Sequence, residues 1–229
     1  MGFNKKFFTT GGIVAASGGG ADPTSEAILH IDFENQVNDQ MGNYTTSNSG
    51  TTFSTDSKVG TYSGDFDPTS DKMIVNNFYL SDTAYAIAFW VKWHSLSTNT
   101  WQMVTVMSAA KDQVADRIYI GKYYNQQNIW IRSYVTGVEE SAFTPSTNTW
   151  YHWVLNVDSS GYKLYVNNAS TPTWSNSTSI SGAQVGTTTE ASIGGHLTGI
   201  NESFDGKLDN FRVWDRVLTA DERTFLYNE

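Results

Sequence analysis

The stretch 84–93, AYAIAFWVKW, places Tyr85, Ile87, Phe89, Val91 and Trp93 on one side of an extended chain and leaves the alternate positions to the other. Period-two alternation of this length is the pattern of a strand with one buried face. It recurs along the chain. AILHIDFE (27–34) sets Leu29, Ile31 and Phe33 against His30, Asp32 and Glu34. WYHWVLNVD (150–158) aligns Tyr151, Trp153, Leu155 and Val157, and GYKLYVNN (161–168) aligns Tyr162, Leu164 and Val166. Further strands are expected at 71–77, 101–109, 117–121, 128–135, 190–194 and 204–214. Half-buried strands in this number imply antiparallel sheets, each covered on one face.

The links between these runs read as turns. Asp158-Ser-Ser-Gly161 is a short connection with a glycine available for a positive φ. STNTW occurs at 97–101 and again at 146–150, each time leading a polar turn into a strand headed by tryptophan; two copies do not make a repeat architecture. One helix is expected. Thr219-Ala-Asp-Glu222 fits the capping box, with Phe225 and Leu226 placed to pin a short C-terminal helix on the sheet.

Composition narrows the class. With 229 residues, 39% apolar and 16% charged, the chain can build one large core and is not disordered. It has no cysteine, which removes disulfides and thiolate chemistry. Fourteen basic residues face 23 acidic ones, for a net charge of −9. Phosphate backbones are bound through Lys and Arg, so nucleic acid is not an expected partner. No run approaches the roughly 18 apolar residues of a membrane helix, so no membrane is expected either.

The segment FDGKLDNFRVWDRVLTADE (204–222) resembles the closing signature of laminin-G-like, concanavalin A-like domains, through Gly206, Leu208-Asp209, Phe211-Arg212-Val213-Trp214, Leu218 and Thr219. ILHIDFEN followed by Asp39 and Gly42-Asn43, then AIAFWVKW, WYHWVLNVDSSGYKLYVNN and SIGG, resemble the remaining family features in order. The resemblance spans roughly 25–229. It implies an all-β fold, an antiparallel two-sheet jelly-roll sandwich with one short C-terminal helix. The domain reading is an extended N-terminal arm, 1–23, and a laminin-G-like sandwich, 24–229.

The arm, MGFNKKFFTTGGIVAASGGGADP, has Lys5-Lys6 ahead of an apolar run that Thr9, Thr10, Gly11 and Gly12 interrupt, which is a poor secretory signal. Lys6 stands where an N-myristoylation motif has Ser or Thr. Ordering a glycine-rich segment costs about 1–2 kcal/mol per residue. Burying Phe3, Phe7, Phe8, Ile13 and Val14 on a partner, at about 1.5–3 kcal/mol each, offsets that cost. KKFFTTGGIV is similar to N-termini of tailed-bacteriophage structural proteins that carry such domains. That likeness implies a virion surface location, capsid or other virion proteins as partners of the arm, and a homo-oligomer or multicopy assembly.

Candidate chemistry is sparse. Related glycosidases carry a Glu-x-Asp-x-x-Glu strand motif, which is absent. Asp32 and Glu34 share a strand face at i, i+2, and read as solvated edge carboxylates. The histidines, His30, His94, His152 and His196, accompany no Gly-x-Ser-x-Gly elbow. No catalytic residue, and hence no enzyme, is expected. The family resemblance implies calcium through loop acids, with Asp32, Asp39 and Asp209 as donors; otherwise no cofactor is expected. Asp209 shares alternation parity with Phe211 and Val213, which makes it an inward acid held by hydrogen bonds instead. The metal assignment stays open. Aromatic rings in polar loops can stack on pyranose faces, and Trp174, Tyr123 and Tyr124 are the glycan-binding candidates. The expected function is a non-enzymatic phage virion or decoration protein that displays a lectin-like sandwich toward host glycans. Two alternatives stand beside it: a secreted or cell-surface carbohydrate-binding module, and a glycoside hydrolase.

Overall fold

The computed structural model describes the chain apart from residues 1–21, 79, 81–82, 98–99, 108–117, 123, 125, 134–137, 180–189 and 197–201, and apart from the side chains of 138–142. The arm residues Phe3, Phe7, Phe8, Ile13 and Val14, and the glycan candidate Tyr123, lie outside the described residues.

After a 3-10 turn, Thr24–Glu26, fifteen strands follow: β1 (Leu29–Ile31), β2 (Thr46–Ser49), β3 (Thr52–Ser54), β4 (Ser63–Phe66), β5 (Lys72–Asn76), β6 (Tyr85–Trp93), β7 (Gln102–Met107), β8 (Ile118–Lys122), β9 (Ile129–Ser133), β10 (Val138–Phe143), β11 (Tyr151–Asp158), β12 (Gly161–Val166), β13 (Trp174–Asn176), β14 (Glu190–Ile193) and β15 (Gly206–Trp214). Helix α1 (Ala220–Tyr227) closes the chain. The strands form two antiparallel sheets. One has eight strands in the order β13-β12-β11-β6-β15-β4-β3, with β1 also pairing β15. The other has seven, β10-β9-β8-β7-β14-β5-β2. Every strand read from apolar alternation is present, to within a few residues at its ends.

The core between the sheets is mostly aliphatic, with a cluster of large rings on the eight-stranded sheet. Phe89 stacks on Phe211 with ring centres 5.3 Å apart, and Trp93 lies 5.6 Å from Trp153 and 5.7 Å from Phe204. Trp93, Trp153, Phe89 and Phe211 are all buried. Large rings supply much apolar area per residue, and the seven-stranded sheet contributes aliphatic side chains to the same core, among them Val75, Val104, Ile120, Ile131 and Ile193. The β11–β12 hairpin turns as read: Gly161 has φ 109°, and the Asp158 Oδ1 accepts from the Ser160 amide at 2.7 Å.

The capping box of α1 is complete. The Glu222 amide donates to Thr219 Oγ1 at 3.3 Å, and the Thr219 amide donates to Glu222 Oε2 at 2.7 Å. The helix lies on the outer face of the eight-stranded sheet, where Leu226 packs with Ala86, Ala88, Val154 and Trp214. The start of the sandwich is tied to its end. The buried Trp214 indole donates to the Pro23 carbonyl at 2.8 Å, and Arg216 reaches Glu26.

Two expectations change. First, β1 ends at Ile31, because Phe33 and Asn35 take left-handed conformations, φ 58° and 57°. Asp32 and Glu34 therefore sit in a turn and share no strand face. The Phe33 side chain still reaches the core, edge-on to Phe66 at 6.0 Å. Second, Asp209 is buried but does not face the core between the sheets. A bulge interrupts the β15–β6 pairing between Asp209 and Arg212, with Asn210 at φ 51°. The bulge resets the alternation. Asp209 pairs Trp90 and shares its outward face, while Phe211 and Val213 return inward.

Candidate functional site

At one end of the eight-stranded sheet, the ends of β4 and β6 and the start of β15 border an open groove of about 470 Å³. β4 delivers Asp65 and Phe66. A tight turn follows, in which Asp67 Oδ1 accepts from the Thr69 amide at 2.9 Å and Asp71 Oδ2 accepts from the Asp67 amide at 2.9 Å. The Thr69 hydroxyl and amide hold the Asp67 carboxyl below its usual range. His94 follows β6, and its amide donates to the Asp205 carbonyl at 3.0 Å.

The imidazole of His94 bridges two acids. Its Nδ1 lies 3.4 Å from Asp205 Oδ1 and its Nε2 lies 3.7 Å from Asp65 Oδ1. Lys207 holds the other Asp65 oxygen at 2.6 Å, and the Ser95 hydroxyl donates to the other Asp205 oxygen. The groove thus combines acceptors from Asp65, Asp67, Asp71 and Asp205, an imidazole that can donate or accept, and threonine hydroxyls at 52 and 69. The exposed Pro68 contributes a small apolar surface, while the Phe66 ring is buried in the core beneath the groove. A few convergent polar groups around an apolar patch is the composition of a small-ligand site, and an acceptor-rich wall suits a ligand rich in hydroxyl groups.

The residues expected from sequence lie elsewhere. Trp174 is in β13 at the edge of the eight-stranded sheet, opposite Leu164, half-buried against the core. Tyr124 is exposed between β8 and β9 of the other sheet. The two stand on different sheets and neither lines the groove. His94, Asp65 and Asp205 carried no sequence signal. They come from three distant segments, and only the turn composition of DPTSD (67–71) marks the neighbourhood.

The acids considered for calcium serve the backbone. Asp39 accepts four amides: Oδ1 from His30 and Met41 at 3.0 and 3.1 Å, Oδ2 from Asn43 and Tyr44 at 2.9 and 3.0 Å. Those N–H groups sit where a cation would have to be, so Asp39 does not fit a calcium ligand. Asp209 Oδ2 accepts the amides of Lys58 and Val59, and Asp32 Oδ1 accepts the Glu34 amide. Glu34 Oε1 accepts the amides of Thr61 and Tyr62. Among the described residues, no group of three or more His, Asp or Glu is arranged to hold a metal ion. Nor is any described helix long and apolar enough to cross a membrane.

Comparison with known proteins agrees with this architecture. The fold is similar to domain 4 of AbnA, a GH43 extracellular arabinanase from Geobacillus stearothermophilus, in complex with arabinotriose: TM-score 0.66, 20% identity, covering 88% of this chain and 98% of that one. It is also similar to the binding domain of botulinum neurotoxin serotype D, at TM-score 0.65 and 17% identity over 89% of this chain and 52% of that one. A structure of the serotype D ligand-binding domain in complex with N-acetylneuraminic acid matches with TM-score 0.64 and 18% identity, over 89% and 51%. The chain spans about half the length of these toxin domains. No curated protein matches the chain in sequence. A family model, Laminin_G_3 of the concanavalin A-like lectin/glucanases superfamily, matches residues 67–222. The match covers more than half of the chain, and the chain belongs to this family of concanavalin A-like lectin/glucanase sandwiches.

Proposed function

We propose that the chain is a non-enzymatic carbohydrate-binding sandwich whose ligand enters the groove between Asp65, His94 and Asp205. The groove carries this reading: it joins hydrogen-bond acceptors, an imidazole and the exposed Pro68 ring in one open cleft. The fold supports it, since an arabinanase domain crystallised with arabinotriose and a toxin domain crystallised with N-acetylneuraminic acid have similar sandwiches. A hydrolytic role has less support. Asp32 and Glu34, the carboxylates considered for hydrolysis, lie in a turn, and Glu34 uses Oε1 to hold a neighbouring loop.

The biological setting we propose is a phage virion surface. There the arm, 1–23, would dock on capsid or other virion proteins through Phe3, Phe7, Phe8, Ile13 and Val14, and many copies would present the groove to host glycans. The support is the likeness of KKFFTTGGIV to phage structural N-termini and the apolar character of the arm.

A glycan array with the wild type, Asp205→Asn and His94→Ala tests the groove. The expected result is a saccharide signal that both substitutions lower by at least about tenfold, the equivalent of about 1.4 kcal/mol. Full binding by both variants would remove the groove from the reading, and hydrolysis of a bound oligosaccharide would overturn the non-enzymatic part. Removing residues 1–21, which keeps the Pro23 carbonyl for Trp214, tests the arm. Particles should then lack the protein although the sandwich remains folded.

A further inference from the structure

Residues 55–62, between β3 and β4, cross the outer face of the eight-stranded sheet as a strap, and acids hold them at three points. Asp56 pairs with Lys92 at 2.7 Å and accepts from the Trp150 indole at 3.3 Å. In the middle, the amides of Lys58 and Val59 donate to Asp209 Oδ2 at 2.7 and 2.8 Å. At the far end, the amides of Thr61 and Tyr62 donate to Glu34 Oε1 at 2.7 and 3.1 Å. The middle anchor differs from the outer two. Asp209 is fully buried, and its Oδ1 has no hydrogen-bond partner.

We propose that Asp209 is a proton-operated latch for this strap, holding residues 58 and 59 down when its carboxyl is neutral and loosening them when it ionises. A neutral carboxyl can still accept both amides on Oδ2. An ionised one carries a charge that water does not reach, with one oxygen unbonded. Opening the strap admits water to that charge, so ionisation favours the open form.

The surroundings set the direction. Burial raises the Asp209 carboxyl most and nearby Glu34 adds to it, while the amides of Val59, Lys58 and Asn210 oppose it; the result is about 7. Each neighbouring element contributes its own groups. The strap supplies Lys58, whose ammonium lies 4.6 Å over the Trp90 ring. On β6, Lys92 is paired with Asp56. On β15, Arg212 is paired with Glu229 at 2.6 Å. From α1, Tyr227 stacks on Trp90 at 5.4 Å. β11 places His152 in the same cross-strand row, since Trp90 pairs both Asp209 and His152. Burial, with Arg212 and Lys58 adding to it, pushes His152 down to about 3, so it stays neutral where Asp209 titrates.

The sign of the linkage follows. In the unfolded or strap-open chain the carboxyl reverts toward 3.8, and in the closed form it is about 7. The closed form therefore binds the proton more tightly, gains stability as pH falls from about 7 toward 3.8, and loses it as pH rises through 7. Between pH 6 and pH 8 the closing equilibrium changes by about tenfold.

Amide hydrogen exchange on the full chain at these two pH values tests the latch, with rates corrected for the intrinsic pH dependence. The Lys58 and Val59 amides should be about tenfold better protected at pH 6 than at pH 8. In Asp209→Asn, which keeps an acceptor oxygen and cannot ionise, protection should be equal at both. Equal protection in the wild type, or the same difference retained in Asp209→Asn, overturns the proposal. The carbon-13 shift of the Asp209 carboxyl gives a readout in the wild type alone, which does not require the variant to fold. A midpoint near 7 is expected, and one near 3.8 overturns the latch.

Discussion

Asp39 organises the turn after β1 by accepting four backbone amides on two oxygens. No other side chain of its size offers four acceptor sites in that geometry. Replacing it with alanine leaves part-buried donors unpaired, and each such loss costs about 1–3 kcal/mol. Asp39→Ala should lower unfolding stability by about 3 kcal/mol, since water recovers some of these bonds. Urea denaturation checks this. Asp39→Asn should lose less, because it retains one acceptor oxygen. Calcium should leave the denaturation midpoint of the wild type unchanged; a rise with added calcium would contradict the amide-filled geometry around Asp39.

Among the elements, β15 carries the most partners: β6 along one edge, and β4 and β1 in turn along the other. The bulge at 209–210 lies between the β4 and β1 pairings. The central strands β6, β11 and β12 were legible because their alternation is long and apolar. β2, β3, β4, β10 and β13 were not. TSNS, TFS, SGDF, VEESAF and WSN are short or polar and without a clear apolar alternation, and their pairing is decided by neighbours. Gly64 shows how: a Cβ there would come within 2.6 Å of the Phe33 ring, so the strand needs a residue that propensity disfavours. The bulge was hidden for a related reason. A left-handed Asn210 leaves no mark on a hydrophobic pattern, and parity counted through it assigns Asp209 to the wrong face. The helix was legible from its cap alone. Thr219→Ala should cost about 1 kcal/mol, seen as a lower thermal midpoint, with faster amide exchange in α1 ahead of the sheet.

Across the whole molecule, the groove is assembled from residues more than a hundred positions apart, with acids from β4, from the 67–71 turn and from the approach to β15. That is why no local motif announced it, although the fold that builds it was readable. The aromatic candidates drawn from loop composition came from a rule about single residues, whereas the groove depends on which strand ends meet. Its charge has a measurable effect. With Asp65, Asp67, Asp71 and Asp205 around it and a chain of net charge −9, an anionic saccharide meets a repulsive field. Titration calorimetry should find a neutral oligosaccharide bound more tightly than a uronic-acid oligomer of equal length, by about tenfold at low salt, with the gap narrowing as salt screens the charges. Equal affinities would place the binding surface away from these acids.

The position of β15 also governs how the molecule comes into being. A ribosome releases β1, β4 and β6 long before it makes the strand that joins them. Until residues 206–214 emerge, the nascent chain holds Leu29 without its cross-strand partner Val213 and Phe89 without the stacked Phe211, and its half-made sheet has an open edge of the kind that aggregates. Folding of this sandwich should therefore be slow for its size, and helped by whatever shields that edge until β15 slots in.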